Sequence, residues 1–128
     1  MSGSNQAQLR IVYLEDNPLI AFHVEQMIED LGHIHIATVE SFSALRDLPA
    51  IEADCALVDI DLADGCTGPA AASWLAERGI PAIFVSGQRD LAEANADRVL
   101  AYLIKPVAMG ELQAALEHVP HARRADGV

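Results

Sequence analysis

The hydrophobic positions of this chain fall into short runs separated by stretches of helical period. Ile11-Val12-Tyr13-Leu14, Cys55-Ala56-Leu57-Val58, Ala82-Ile83-Phe84-Val85 and Ala101-Tyr102-Leu103-Ile104 are the clearest runs. Apolar runs of this length, bounded by Gly, Pro or Asp, read as buried strands of a parallel sheet. They predict strands over residues 10–15, 54–60, 80–85 and 99–104, with the weakly alternating residues 33–39 as a second, edge-like strand. Ile20, Val24, Met27, Ile28 and Leu31 recur at helical spacing behind Asn17 as cap and Pro18 as first-turn residue, and Gly32 ends that helix. Residues 41–48 predict a short helix capped by Ser41 and stopped by Pro49. A third helix spans 69–78, with Ala71, Trp74, Leu75 and Arg78 on one side and Gly79 as terminator. Residues 90–96 form a weak, Ala-rich helix, and Ala108, Leu112, Ala115, Leu116 and Val119 mark the last one.

Strands alternating with helices imply right-handed βαβ units and a parallel sheet covered on both faces. Five units in this length predict an α/β fold, a flavodoxin-like (βα)5 doubly wound sheet of order 2-1-3-4-5. Ligands of such sheets bind outside the carboxyl ends of the strands. Glu15-Asp16, Asp59, Ser86 and Lys105 each follow a strand run, so this order brings three acids, a hydroxyl and an amine to one crevice.

The 128 residues suit one domain, expected over residues 9–119, with a disordered lead at 1–8 and a flexible tail at 120–128. Apolar residues make up 52%, enough for a real core. No run is long and apolar enough to span a bilayer, and residues 1–8 carry no hydrophobic signal region, which predicts a cytoplasmic protein. The net charge of −11 argues against nonspecific nucleic-acid binding and against anionic membranes, and favours basic partner surfaces or metal cations. Cys55 falls in a buried strand and Cys66 in a loop, so no disulfide is expected between them.

Glu15, Asp16 and Asp59 would crowd negative charge unless a cation or protons intervene. Mg²⁺ is the economical remedy, since it takes about six oxygen ligands and keeps waters and phosphate among them. Lys105 suits phosphate as a point charge, and Ser86 offers a hydroxyl donor. A carboxylate facing a metal, an ammonium and a hydroxyl is a plausible nucleophile toward a phosphoryl group.

These residues carry a resemblance. From Leu9 to Val119 the chain resembles a response-regulator receiver domain of two-component signalling, of the single-domain type. The match consists of Glu15-Asp16, Asp59, Ser86 and Lys105-Pro106, in this order after strands one, three, four and five, with Asp54 at the start of the third strand fixing the register on Asp59. The resemblance implies that Asp59 accepts a phosphoryl group from a phosphohistidine, on a histidine kinase or a histidine phosphotransfer protein. It implies that Glu15, Asp16 and Asp59, with the backbone carbonyl of Asp61, hold Mg²⁺. Lys105 would pair with the phosphoryl oxygens, and Ser86 would swing to bond them. Tyr102 would be the switch aromatic, and Lys105-Pro106 a cis bond that aims the lysine. It implies no enzyme in the ordinary sense, only autocatalytic phosphoryl acceptance and self-dephosphorylation. Output would be a contact with a downstream protein or onward relay of the phosphoryl group. A homodimer through the strand 4, helix 4 and strand 5 face is also compatible, as is a piece of a larger protein such as a hybrid kinase.

The chain departs from the family pattern in four places. Ala63 stands where a proline often follows, Gly68 is nine rather than eight residues past Asp59, Gly87 replaces a common alanine, and Asp61 adds an acid. Other readings compete. A haloacid-dehalogenase-like phosphatase also uses a strand-end Asp, but there the acidic pair comes last, and no residues remain here for a cap domain. A degenerate receiver would act only as an interaction module. A calcium loop over 59–70 fails because Ala63 and Ala70 take ligand positions. A flavin binder fails because Glu15-Asp16 would repel phosphate. Ser86 could simply cap the next helix, Tyr102 and Trp74 could simply pack in the core, and His33 and His35 read as a solvated edge strand. His23, His118 and His121 have no partners at ligand spacing.

Overall fold

A computed structural model describes residues 8–120 of the chain. The lead, apart from Gln8, and the tail beyond Pro120, with His121, lie outside the described residues. Five parallel strands form one sheet: β1 Arg10–Leu14, β2 Ile34–Val39, β3 Cys55–Val58, β4 Ala82–Ser86 and β5 Ala101–Ile104, in the order β2-β1-β3-β4-β5. Among the described residues the α-helices are α1 Pro18–Asp30, α2 Phe42–Arg46, α3 Gly68–Glu77, α4 Arg89–Ala94 and α5 Met109–Leu116. This is the doubly wound flavodoxin-like fold the sequence predicts.

The strand alternation sorts side chains to two faces. Ile11, Tyr13, Leu57, Ile83, Val85 and Leu103 pack with Val24 and Ile28 of α1 and Leu112 and Leu116 of α5. Val12, Leu14, Ala56, Val58 and Phe84 pack with Leu45 of α2, Leu75 of α3 and Ala92 of α4. β3 and β4 are buried along their whole length and β1 everywhere beyond Arg10, whereas β2 and β5 are partly open, as edge strands must be. Helix starts follow local chemistry. The Asn17 side chain accepts from the backbone N–H groups of Leu19 and Ile20, and Ser41 Oγ accepts from Ala44 N at 2.9 Å. Gly32 closes α1 at φ +90°, a conformation that favours glycine.

Three details depart from the sequence reading. His33 is not part of a solvated edge. It precedes β2, is buried, and its Nδ1 accepts from Leu9 N at 3.0 Å, because an N–H just before β1 needs a partner there. Trp74 is half-buried rather than core: its ring lies 6.1 Å edge-on from Phe42, and the Arg78 guanidinium covers its face at 3.6 Å. The weak fourth helix is Arg89–Ala94 followed by a 3₁₀ turn at Ala96–Arg98, which shortens β5 at its start.

Candidate functional site

The carboxyl ends of β1, β3, β4 and β5 open onto a crevice of about 340 Å³ lined by Glu15, Asp16, Asp59, Asp61, Ser86, Gln88 and Lys105, among others. Parallel strands deliver their final residues to one edge, so residues distant in sequence become neighbours. Oxygens of Glu15, Asp16 and Asp59 all lie within 4.8 Å of one another. Lys105 Nζ sits 2.7 Å from Glu15 Oε1 and 2.7 Å from Asp59 Oδ2. Glu15 and Asp59 are buried, while Asp16 is exposed at the rim. The Lys105-Pro106 peptide bond is cis.

Two buried carboxylates therefore share one ammonium. Burial pushes the Asp59 carboxyl up to about 6, and the charge of Glu15 adds to that push. The hydrogen bond from Lys105 and the backbone N–H of Asp61, 3.3 Å from Asp59 Oδ1, pull the other way without prevailing. Burial also works against the Lys105 charge, but its bonds to Asp59 and Glu15 outweigh it and hold the ammonium above its ordinary range. The local excess of negative charge, made of hard oxygen donors at one point, fits a small divalent cation such as Mg²⁺.

Asp61 stands outside the acid cluster. Its carboxylate accepts a short hydrogen bond from Gln88 Nε2, which ties the loop after β3 to the loop after β4 across the crevice. Ser86 Oγ accepts from Gln88 N at 3.0 Å and donates to Gln88 O. The hydroxyl thus holds the backbone of Gln88, the residue before α4, without capping the helix as the alternative reading expects, while lining the same crevice as Asp59. Tyr102 is half-buried on β5 and its hydroxyl donates to Glu93 of α4 at 3.3 Å. The loop after β3 makes a tight turn, with Leu62 paired to Gly65 at φ +102°. Gly68 still lies against the strand end: a Cβ there would come within 2.3 Å of the Asp59 carbonyl oxygen and 2.5 Å of Ile60 Cα.

Two site residues were not singled out from sequence. Gln88 gave no signal, because a loop glutamine is ordinary. Tyr13 did carry one: it is a phenol inside an otherwise aliphatic strand, and its buried hydroxyl donates to Glu15 Oε1 at 3.1 Å.

The description "response regulator receiver domain" matches residues 11–117. No curated protein sequence matches the chain. Among solved structures, the signal receiver domain of a modulated diguanylate cyclase from Desulfovibrio desulfuricans G20 is 29% identical, with a TM-score of 0.80 over 94% of this chain and 99% of that one. The response regulator PhyR from Brucella abortus is 28% identical, with a TM-score of 0.79, covering 96% of this chain and 52% of that chain. The anti-anti-sigma factor PhyR from Bartonella quintana is 25% identical, with a TM-score of 0.81, covering 96% and 51%. The chain thus spans about half the length of these PhyR proteins. With the strand order, the site geometry and the match over most of its length in agreement, the chain belongs to the response regulator receiver domain family.

Proposed function

We propose that the chain is a phosphoryl-accepting receiver, modified on Asp59 by a phosphohistidine donor with Mg²⁺. The observation that carries this reading is the placement of Lys105 Nζ at 2.7 Å from both Asp59 and Glu15, beside acids whose oxygens converge within 4.8 Å. Glu15, Asp16 and Asp59 would hold the ion, with the main-chain carbonyl of Asp61 as a further ligand. Bound there, Mg²⁺ neutralises the acids and the equatorial phosphoryl oxygens. An Asp59 carboxylate oxygen attacks phosphorus, the P–N bond of the donor breaks, and the imidazole leaves with the electron pair. Lys105 then pairs with a phosphoryl oxygen, and Ser86 exchanges its bonds to Gln88 for one to the phosphoryl group. Tyr102 follows by leaving Glu93 and turning inward, which changes the face of β4, α4 and β5.

The domain so defined spans residues 9–119, and its work is self-modification rather than turnover. Its donors are a histidine kinase or a histidine phosphotransfer protein, and its output is a protein contact or onward relay, with homodimerisation through the α4–β5 face as one form of contact. The PhyR resemblance supports a downstream protein target. A cytoplasmic setting is part of this proposal, and among the described residues no helix is long and apolar enough to cross a membrane.

Incubation with Mg²⁺ and acetyl phosphate or beryllofluoride should yield a one-site adduct in the wild type and none in Asp59→Asn. Absence of an adduct in the wild type would favour the degenerate interaction module, and rapid turnover of a generic phosphoester would favour the phosphatase.

A further inference from the structure

Tyr13 lies in the core cluster beneath α1 and α5, fully buried, where the pattern of β1 asks only for an aliphatic side chain. A buried hydroxyl needs a hydrogen-bond partner, and this one donates to Glu15 Oε1 at 3.1 Å. Burial, then the charge of Glu15, pushes the phenol far above its usual pKa, so it stays protonated and able to donate. The same Oε1 accepts from Lys105 Nζ at 2.7 Å, and Oε2 accepts from Asn17 N at 3.1 Å. Glu15 is therefore satisfied by three donors, and two of them meet on one oxygen. Those two differ in freedom. The Tyr13 ring is locked in packed core, whereas Lys105 reaches the site on a flexible four-carbon stem.

We infer that Tyr13 is a positioning residue: its hydroxyl keeps the Glu15 carboxylate bonded and oriented while Lys105 leaves Glu15 for the phosphoryl oxygens on Asp59. This rests on the phosphoryl-acceptor reading above. In the resting site Lys105 bridges Glu15 and Asp59. When the lysine shifts toward a modified Asp59, Glu15 Oε1 loses one donor. With the ion held by the acids as proposed above, an Oε1 without the Tyr13 hydroxyl would lose its last hydrogen-bond donor as the lysine departs, and that loss would hold the lysine back. With Tyr13 in place the oxygen keeps a partner in both states, so the shift of Lys105 meets less resistance.

The test uses the full chain and compares wild type with Tyr13→Phe, which removes the hydroxyl and keeps the ring. Mg²⁺ alone and then beryllofluoride at saturating Mg²⁺ are titrated and followed by amide NMR shifts. Mg²⁺ affinity should change by no more than about twofold, since Lys105 stays on Glu15 in that step, while beryllofluoride affinity should fall by about fivefold to tenfold. In a Glu15→Gln background the second loss should vanish. Equal beryllofluoride affinity in the two proteins overturns the inference and leaves the acceptor reading intact. An equal loss in both titrations also overturns it, because the hydroxyl would then merely shape the acid pocket. A wild type that forms no beryllofluoride adduct removes the acceptor reading and this inference together.

Discussion

β3 carries a buried aspartate at each end, and the two live in opposite circumstances. Asp54, just before the strand, accepts from Arg10 N at 2.7 Å and from its Nε and Nη2 at 3.2 Å each. Its charge is met by a bidentate guanidinium and a backbone donor. Asp59, just after the strand, shares a single ammonium with Glu15 and is pushed up to about 6. One end of the strand is electrostatically satisfied, and the other is left short of positive charge. The same four apolar residues lie between them. Burial alone therefore does not make an acid a site candidate; burial with too little opposing charge does.

The largest effect expected from breaking this comparison comes from backbone crowding at the Asp59 end. Gly68→Ala places a Cβ 2.3 Å from the Asp59 carbonyl oxygen and 2.5 Å from Ile60 Cα, atoms that cannot yield as a flexible side chain would. We expect a loss of about 3 kcal/mol in urea unfolding. Asp59 should also lose its alignment, so adduct formation with beryllofluoride should fall with stability. A variant as stable as wild type would mean the loop relaxes at no cost.

Next comes the satisfied end. Asp54→Ala leaves the Arg10 N–H without its carboxylate and frees a guanidinium that is about half exposed. Water can take over the guanidinium but reaches the strand less easily, so the expected loss is about 2 kcal/mol. Adduct formation should persist wherever the variant is folded, because the substitution lies at the far end of β3.

The overcharged end predicts the opposite sign. Asp59→Asn removes one of two buried charges that share Lys105, and it should stabilise the metal-free protein at pH 7. A tenfold change in protonation is worth about 1.4 kcal/mol, and the weakened bond to Lys105 offsets part of the gain, leaving a net on the order of 1 kcal/mol. The pH dependence follows from the raised value. Between about 4 and 6 the folded protein holds a proton on Asp59 that the unfolded chain releases, so this group's contribution is full below pH 4 and is lost as pH rises through 6. The advantage of Asp59→Asn should therefore shrink as pH falls from 6 to 4. Thermal melts of both proteins across that range decide it, and an advantage that does not vary with pH would falsify the electrostatic account.

What could be read from sequence divides along the same line. The strand-end acids, Ser86 and Lys105 were legible because parallel strands deliver their tips to one edge, and the apolar runs of β1, β3, β4 and β5 locate those tips. The α4 region was not, because Ala-rich periodicity does not distinguish a short helix from a helix plus a 3₁₀ turn. His33 misled because two histidines spaced by two look like one face of a strand. Its real partner is the backbone of Leu9, twenty-four residues away. Asp54 was noticed for its place in the register, but its pairing with Arg10 depends on how β1 and β3 lie side by side. Gln88 escaped because its partner, the Asp61 carboxylate, is supplied only by the folded site, whereas the phenol of Tyr13 stood out in its apolar run and only its bond to Glu15 needed the fold.

The smallest expected effect is at the rim of the same strand end. Gln88→Ala removes the exposed bridge to the Asp61 carboxylate and leaves Ser86 bonded to the backbone of residue 88. An exposed hydrogen bond that water can replace contributes little, so unfolding should change by less than about 0.5 kcal/mol. The bridge nonetheless joins the loop that follows Asp59 to the loop that follows Ser86. Its loss should raise amide hydrogen exchange in residues 86–90 while leaving β1 and the Asp54 end of β3 unchanged. Exchange that rises equally at both ends of β3 would show that the bridge supports the whole fold. Unchanged exchange in residues 86–90 would show that the backbone bonds of Ser86 hold that loop by themselves.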